Sequence, residues 1–200
     1  MQYPQIRILM DTQKIIQTLV YLASKQPNKQ INKMKAYKLM WLVDRYHLRQ
    51  YGRTVTGDAY YALPHGVVPT DAKHLLEDRL TRLTSNRDML ESYIRVDDEY
   101  VYSAIAEPNM DVFSDSDIEA MNKILDAFGG MNQYQLSDLS HQFPEWLQYE
   151  PLLVAEDSKN SYKIDLDLFF ENKDEASNLF VDPEELLSLT KQVFHEYRGC

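Results

Sequence analysis

The chain reads as an α+β fold that is predominantly α-helical, a helical core with a small antiparallel β-sheet or hairpin at one edge. Three observations predict it. Stretches with apolar residues at helical spacing come first and dominate. Strand signals are few and local: a turn-punctuated segment over 54–66, a hairpin pattern around Asp97-Asp98-Glu99, and an alternating run over 162–168. Helices and strands are segregated, which excludes a doubly wound α/β sheet.

The first helix is expected from Asp11 or Thr12 to Lys25, with Ile15, Ile16, Leu19, Val20, Leu22 and Ala23 on one side and Gln26-Pro27-Asn28 as its stop. A second runs from about Asn32 to Tyr51, with Gly52 placed as a left-handed cap. A short strand over Ala59–Leu63 follows, between turns at Gly57, Pro64 and Gly66. Pro69 and Thr70 open a third helix through Leu75, Leu76 and Leu80. Ser92–Val96 and Tyr100–Ser103 read as a β-hairpin. Ser116 and Glu119 make a capping box for a fourth helix ending at Gly129-Gly130. A short helix covers about Tyr134–His141, and Pro144–Tyr149 is a further turn. Tyr162, Ile164, Leu166 and Leu168 alternate with Lys163, Asp165 and Asp167 as in a strand. Asp182-Pro183-Glu184 caps a last helix to about Tyr197.

Two hundred residues, 44% of them hydrophobic, suffice for one domain over 1–200 whose core needs no metal or disulfide staple. The one cysteine, Cys200, rules out a disulfide framework. Met1-Gln2-Tyr3-Pro4 lacks the basic start and apolar run of a signal peptide, and no stretch approaches the roughly 18 apolar residues of a membrane helix. The cytoplasm is the expected address, with no membrane partner. A net charge of −10 speaks against nucleic acid as a direct ligand, because phosphate binding needs clustered cations. Such a charge either steers a basic protein partner or simply keeps the chain soluble. There is no Gly-rich phosphate loop, no G-x-S-x-G, no H-E-x-x-H and no interior cysteine, so neither a catalytic residue nor a cofactor is specified.

The second helix is the informative one. Tyr37, Met40, Trp41, Val43, Tyr46, Leu48 and Tyr51 cover more than half of its circumference, as in a central helix packed on several sides. Lys35, Lys38, Arg45 and Arg49 collect on the remaining sector, which reads either as a solvated face or as a contact for an acidic patch or anion. Asp44 and His47 fall inside the apolar arc, three apart on neighbouring turns. A buried carboxylate needs a designated partner, and His47, Arg53, Thr56 or the backbone amides of the following turn are available. Three readings are open: an internal polar tie that fixes the turn, a recognition pocket, or metal binding and acid–base work. His65, His74, His141 and His195 form no zinc-like spacing with them, so no metal is expected.

The run Lys38 to Arg53, KLMWLVDRYHLRQYGR, continues into Thr54-Val55-Thr56-Gly57-Asp58-Ala59-Tyr60 and then Gly66-Val67-Val68-Pro69. Leu136-Ser137-Asp138-Leu139-Ser140-His141 and Trp146 come later. Together these resemble the Panacea, or SocA-like, antitoxin domain, once described as phage-associated. Its pattern reads K-L-x-Y-x-A-D-x-x-H-L-x-x-Y-G-R, then x-I-T-G-D-x-Y, x-x-G-P-V-P and L-S-x-x-S-H. The resemblance spans about 34–150, leaving 151–200 as a strand–helix extension. Trp41, Val43 and Val67 depart from it. It implies the antitoxin of a bacterial or phage toxin–antitoxin module that neutralises a co-encoded toxin by direct binding. The family is associated with many unrelated toxin types, so the resemblance does not identify which toxin.

Two other functions compete. An enzyme that reverses toxin damage needs a reachable constellation, with Asp44, His47, Asp58 and His141 as its members. An adaptor that delivers the toxin to a protease uses binding alone. For the partner interface the expectation falls on Lys38, Arg45, Arg49 and Arg53 with Tyr60 and Tyr61 as aromatic anchors, and equally on the acidic stretch beyond Pro151. Asp44, His47, Thr56, Asp58 and His141 are the expected polar core or pocket, with His141 joining the others across the fold.

Overall fold

The computed structural model describes residues 4–77, 84–155, 160–172 and 178–198. Helix α1 (Pro4–Ser24) starts earlier than its apolar periodicity implies. A turn at Pro27–Lys29 leads into β1 (Gln30–Asn32), and the Asn32 side chain caps α2 (Lys33–Tyr51) by accepting from the N–H groups of Met34 and Lys35. Gly52, at φ 70°, ends α2 in the left-handed conformation expected of it. The hairpin β2 (Tyr60–Leu63) and β3 (Gly66–Pro69) runs directly into α3 (Thr70–Leu76). The expected continuation of that helix to Leu80 lies outside the described residues. Then follow α4 (Thr84–Tyr93), the hairpin β4 (Ile94–Val96) and β5 (Val101–Ala104), and α5 (Asp115–Phe128). The short helices α6 (Gln133–Ser140), α7 (Pro144–Leu147) and α8 (Glu150–Leu153) precede β6 (Tyr162–Lys163) and α9 (Glu184–Arg198).

The fold is α+β and predominantly helical, with two small antiparallel sheets of order β1-β5-β4 and β3-β2-β6. Every residue of α2 from Ala36 to Arg49 is buried, and α1, α5, α6, α9 and β3 pack around it. Central placement follows from its broad apolar arc. Among the described residues no helix is long and apolar enough to cross a membrane.

Several elements differ from the sequence reading. Strands β1 and β3 were not expected, being only three and four residues long. Helix α4 was not expected either, since Met89 and Leu90 are its only large aliphatic residues; it absorbs Ser92 and Tyr93, so the hairpin begins at Ile94. The capping box of α5 is Ser114 with Asp117, not Ser116 with Glu119. The alternation over 162–168 pairs only at Tyr162–Lys163, because β2 begins at Tyr60, whose carbonyl takes the Ile164 N–H. Asp165 then caps a 3-10 turn over Leu166–Phe170, which keeps Ile164 and Leu166 facing inward.

The β2–β3 turn is the tightest point. Gly66 has φ 94°, and a Cβ there would lie 1.9 Å from Ser140 Oγ and 2.6 Å from Lys38 Nζ. Gly66→Ala is therefore expected to destabilise the fold by more than about 2 kcal/mol in urea unfolding, through both the positive φ and the clash. An unchanged midpoint would show that the turn has room to spare.

Candidate functional site

The turn after α2 is built on Asp44. One carboxylate oxygen accepts from the backbone N–H groups of Val55 at 2.8 Å and Thr56 at 3.0 Å. The other accepts from the Thr56 hydroxyl and from Tyr60 Oη at 2.8 Å. Burial pushes the Asp44 carboxyl above its ordinary range, while the donors from Thr56, Tyr60 and Val55 pull it back. Burial, with Asp44 and Asp58 nearby, holds the Tyr60 hydroxyl well above its usual value, so it remains a donor. Asp58 performs the next tie. Its oxygens accept from Asp71 N and Ala72 N, each at 2.8 Å, and so cap α3, whose own N-cap residue, Pro69, supplies no side-chain acceptor. Burial raises the Asp58 carboxyl to about 7 against the pull of those amides.

His47 works in a separate network. Its Nδ1 lies 2.7 Å from Arg53 O, and its Nε2 is 3.0 Å from Ser116 Oγ and 3.2 Å from Asp117 Oδ1. Asp117 is itself buried and paired with Lys14 at 2.9 Å and Arg53 at 2.8 Å. Burial alone would raise Asp117, but Lys14, the Ser114 amide and Arg53 hold it below its ordinary range. Burial lowers His47 to about 4, so the ring is neutral near pH 7. The imidazole thus joins the end of α2 to the start of α5, and it does not bond to Asp44.

The basic sector of α2 corrects both sequence readings. Lys38, Arg45 and Arg49 are fully buried, so they form neither a solvated face nor a rim for a partner. Arg45 Nε donates to Glu145 Oε1 at 2.8 Å, Arg45 Nη2 to Glu171 O at 2.8 Å, and the guanidinium lies over the Phe143 and Phe180 rings. Arg49 donates to Asp182 at 2.7 Å, to the carbonyls of Phe169, Glu171 and Phe180, and to Asn172. Lys38 Nζ donates to Val67 O at 2.7 Å, and burial lowers its ammonium to about 7. Lys35, at the edge of the same sector, reaches Gly129 O. The cations are spent inside because the Val67 carbonyl covers Lys38, and carbonyls and carboxylates from Glu145 to Asp182 cover Arg45 and Arg49. Tyr60 is likewise buried under Asp44 and is no exposed anchor, whereas Tyr61 and Arg53 remain partly exposed.

His141 stands apart from Asp44 and His47. It stacks on Trp146 with ring centroids 4.0 Å apart, and Trp146 Nε1 donates to Leu63 O at 2.9 Å. Ser137 Oγ donates to His65 O, so α6 and α7 are fastened to the β2–β3 hairpin. Burial and then Lys38 lower the His141 imidazole below its ordinary value. The expected joining of His141 to the Asp44 cluster is thus replaced by a second cluster with Lys38, Gly66 and Ser140. Sequence reasoning also missed Asp117 and Glu145. Their signal was indirect: a buried arginine or histidine requires an acid, and Asp117 sits three residues after a serine that begins a helix.

The loop over 54–58 is flanked by two open hollows, one of about 290 Å³ beside Asp58, Asp71 and Arg53, the other of about 470 Å³ beside Lys14 and Asp111. Neither is lined by Asp44 or His47. The family described as antitoxin SocA-like, Panacea domain, matches residues 37–147. No curated protein and no solved structure matches the chain.

Two outcomes follow. Arg49→Met removes the guanidinium that donates to the Phe169 and Phe180 carbonyls and shares the Glu171 carbonyl with Arg45, and it leaves Asp182 short of its cation. It should cost about 3–5 kcal/mol in denaturant unfolding, as when one partner of a buried ion pair is removed. A loss below about 1 kcal/mol would mark Arg49 as peripheral. The unfolded chain protonates His47 near 6.5 while the fold resists until about 4. Stability present above pH 6.5 is therefore lost as pH falls through that window. Asp58, raised to about 7, works in the opposite direction over the same range, so the sign is read from a difference. The thermal midpoint of the wild type should fall relative to that of His47→Gln as pH drops from 6.5 to about 4, and a constant difference would reassign the effect to another group.

Proposed function

The chain belongs to the antitoxin SocA-like, Panacea-domain family, and on that premise we propose that it neutralises a co-encoded toxin by direct protein–protein binding, as a rigid scaffold and not as an enzyme. The observation that carries this reading is the saturation of Asp44. Both of its oxygens are engaged by four donors, three from the turn that follows α2 and one from Tyr60 at the start of β2. A general acid or base must meet the proton it transfers, and Asp44 is turned entirely toward its own chain. Asp58 and His47 are committed in the same way, to α3 and to α5. These groups hold the fold in one shape, and a fixed shape lowers the ordering cost of seating a partner.

The test is co-expression with the product of the adjacent gene. Growth should be rescued, the two proteins should copurify, and the toxin should persist intact in the rescued cells. Toxin loss that depends on this chain and on a protease would favour the adaptor reading. Asp44→Asn weakens a buried network and is expected to cost about 1–3 kcal/mol, with rescue tracking the amount of folded protein. Protection lost by an Asp44→Asn or His47→Gln variant that folds and binds like the wild type would overturn the proposal in favour of catalysis.

A further inference from the structure

Among the described residues the exposed apolar side chains are mostly scattered, at positions such as Val96, Tyr134 and Leu189. One stretch is different. Within 147–154, Leu147, Leu152 and Val154 are 40%, 46% and 76% exposed, and Pro151 is exposed between them. The backbone beneath is well anchored. Trp146 is fastened to Leu63, Leu153 is buried, Tyr149 stacks on Tyr162 at 6.0 Å, and the N–H groups of Tyr149, Leu152, Leu153 and Val154 are all bonded within the stretch. Three large apolar side chains thus stand exposed within eight residues on an anchored backbone.

We propose that the exposed apolar side chains of α7 and α8 are where the chain seats its toxin, and that the toxin offers there apolar contacts surrounded by basic residues. The inference rests on the antitoxin reading and names the surface and the partner chemistry. The basic surround follows from charge. Asp138 and Glu150 are exposed and both act electrostatically on the His141 imidazole, whose ring packs on Trp146 of α7. Burial does not alter the balance outside. Lys38, Arg45 and Arg49 are offset within by Asp44, Asp58, Asp117 and Glu145, so the surface keeps nearly all of the chain's net −10. A second copy of the chain fits poorly, since it would bring a second Asp138 and Glu150 against the first. The family match ends at Leu147, so Pro151, Leu152 and Val154 lie outside the shared pattern, as a determinant peculiar to one toxin should.

The experiment measures copurification and affinity for the adjacent-gene product with the full chain. The Leu152→Asp/Val154→Asp double variant should bind at least about tenfold more weakly, a loss of about 1.4 kcal/mol, with an unchanged thermal midpoint. Leu189→Asp, an equally exposed apolar site elsewhere, should bind as the wild type does. Glu150→Lys should weaken binding further at low than at high ionic strength. Full affinity in the double variant, beside a wild type that binds and rescues, overturns this surface and leaves the antitoxin reading standing. A wild type that neither binds nor rescues overturns both. A homodimer in light scattering that the double variant disperses would identify a second copy as the occupant and also overturn the proposal.

Discussion

The structure depends on the desolvation of charge along α2. A helix buried from Ala36 to Arg49 that carries Lys38, Asp44, Arg45, His47 and Arg49 has to find a polar partner for each, because an unpaired charge in that interior costs several kcal/mol. Each solution recruits a different part of the chain. Asp44 gathers the turn after the helix, His47 gathers α5 through Asp117, Arg45 gathers α7 through Glu145, and Lys38 gathers β3 through Val67. The apolar contacts supply most of the driving force. The polar contacts decide which segment lies where, since a guanidinium that must meet three carbonyls admits few arrangements.

This division explains which features were legible. The breadth of the apolar arc on α2, the cap at Gly52, the hairpin around Asp97-Asp98-Glu99 and the tie between Asp44 and the Thr56 region all follow from local pattern and short sequence separation. The basic sector was misread because a charge stripe on a helix ordinarily faces water, and nothing within α2 reveals that Glu145, Phe169 and Asp182 arrive a hundred residues later to cover it. The same separation hid Asp117 as the partner of His47, and placed His141 with Lys38 instead of with Asp44. Strand lengths were misjudged where pairing is limited by the partner: past the Ile164 bond to Tyr60, the chain has run beyond the start of β2.

The Arg49 contacts also bear on how the family range relates to the fold. The matched residues end at Leu147, yet the side chain at 49 reaches Phe169, Glu171, Asn172, Phe180 and Asp182. Phe169 and Phe180 are fully buried, and Phe180 meets Phe143 edge-on at 5.4 Å. Residues beyond the match are thus part of the same core as α2. The aromatic rings of that shared core, Phe143 among them, are covered from the stretch after 147.

A further consequence concerns where recognition resides. Among the shared motif positions, Lys38, Asp44, His47, Thr56, Asp58, Gly66, Ser140 and Trp146 each make or permit an internal contact. A motif that is used up in specifying the fold has little left with which to distinguish partners. On the antitoxin reading proposed above, recognition falls to side chains the fold leaves unused, which can differ without disturbing α2. The exposed leucines and valine at the end of the matched range meet that condition: substituting them removes no buried hydrogen bond and opens no cavity. On that reading, stability and partner choice are carried by different residues, so the surface can change without the internal ties of α2 being rebuilt.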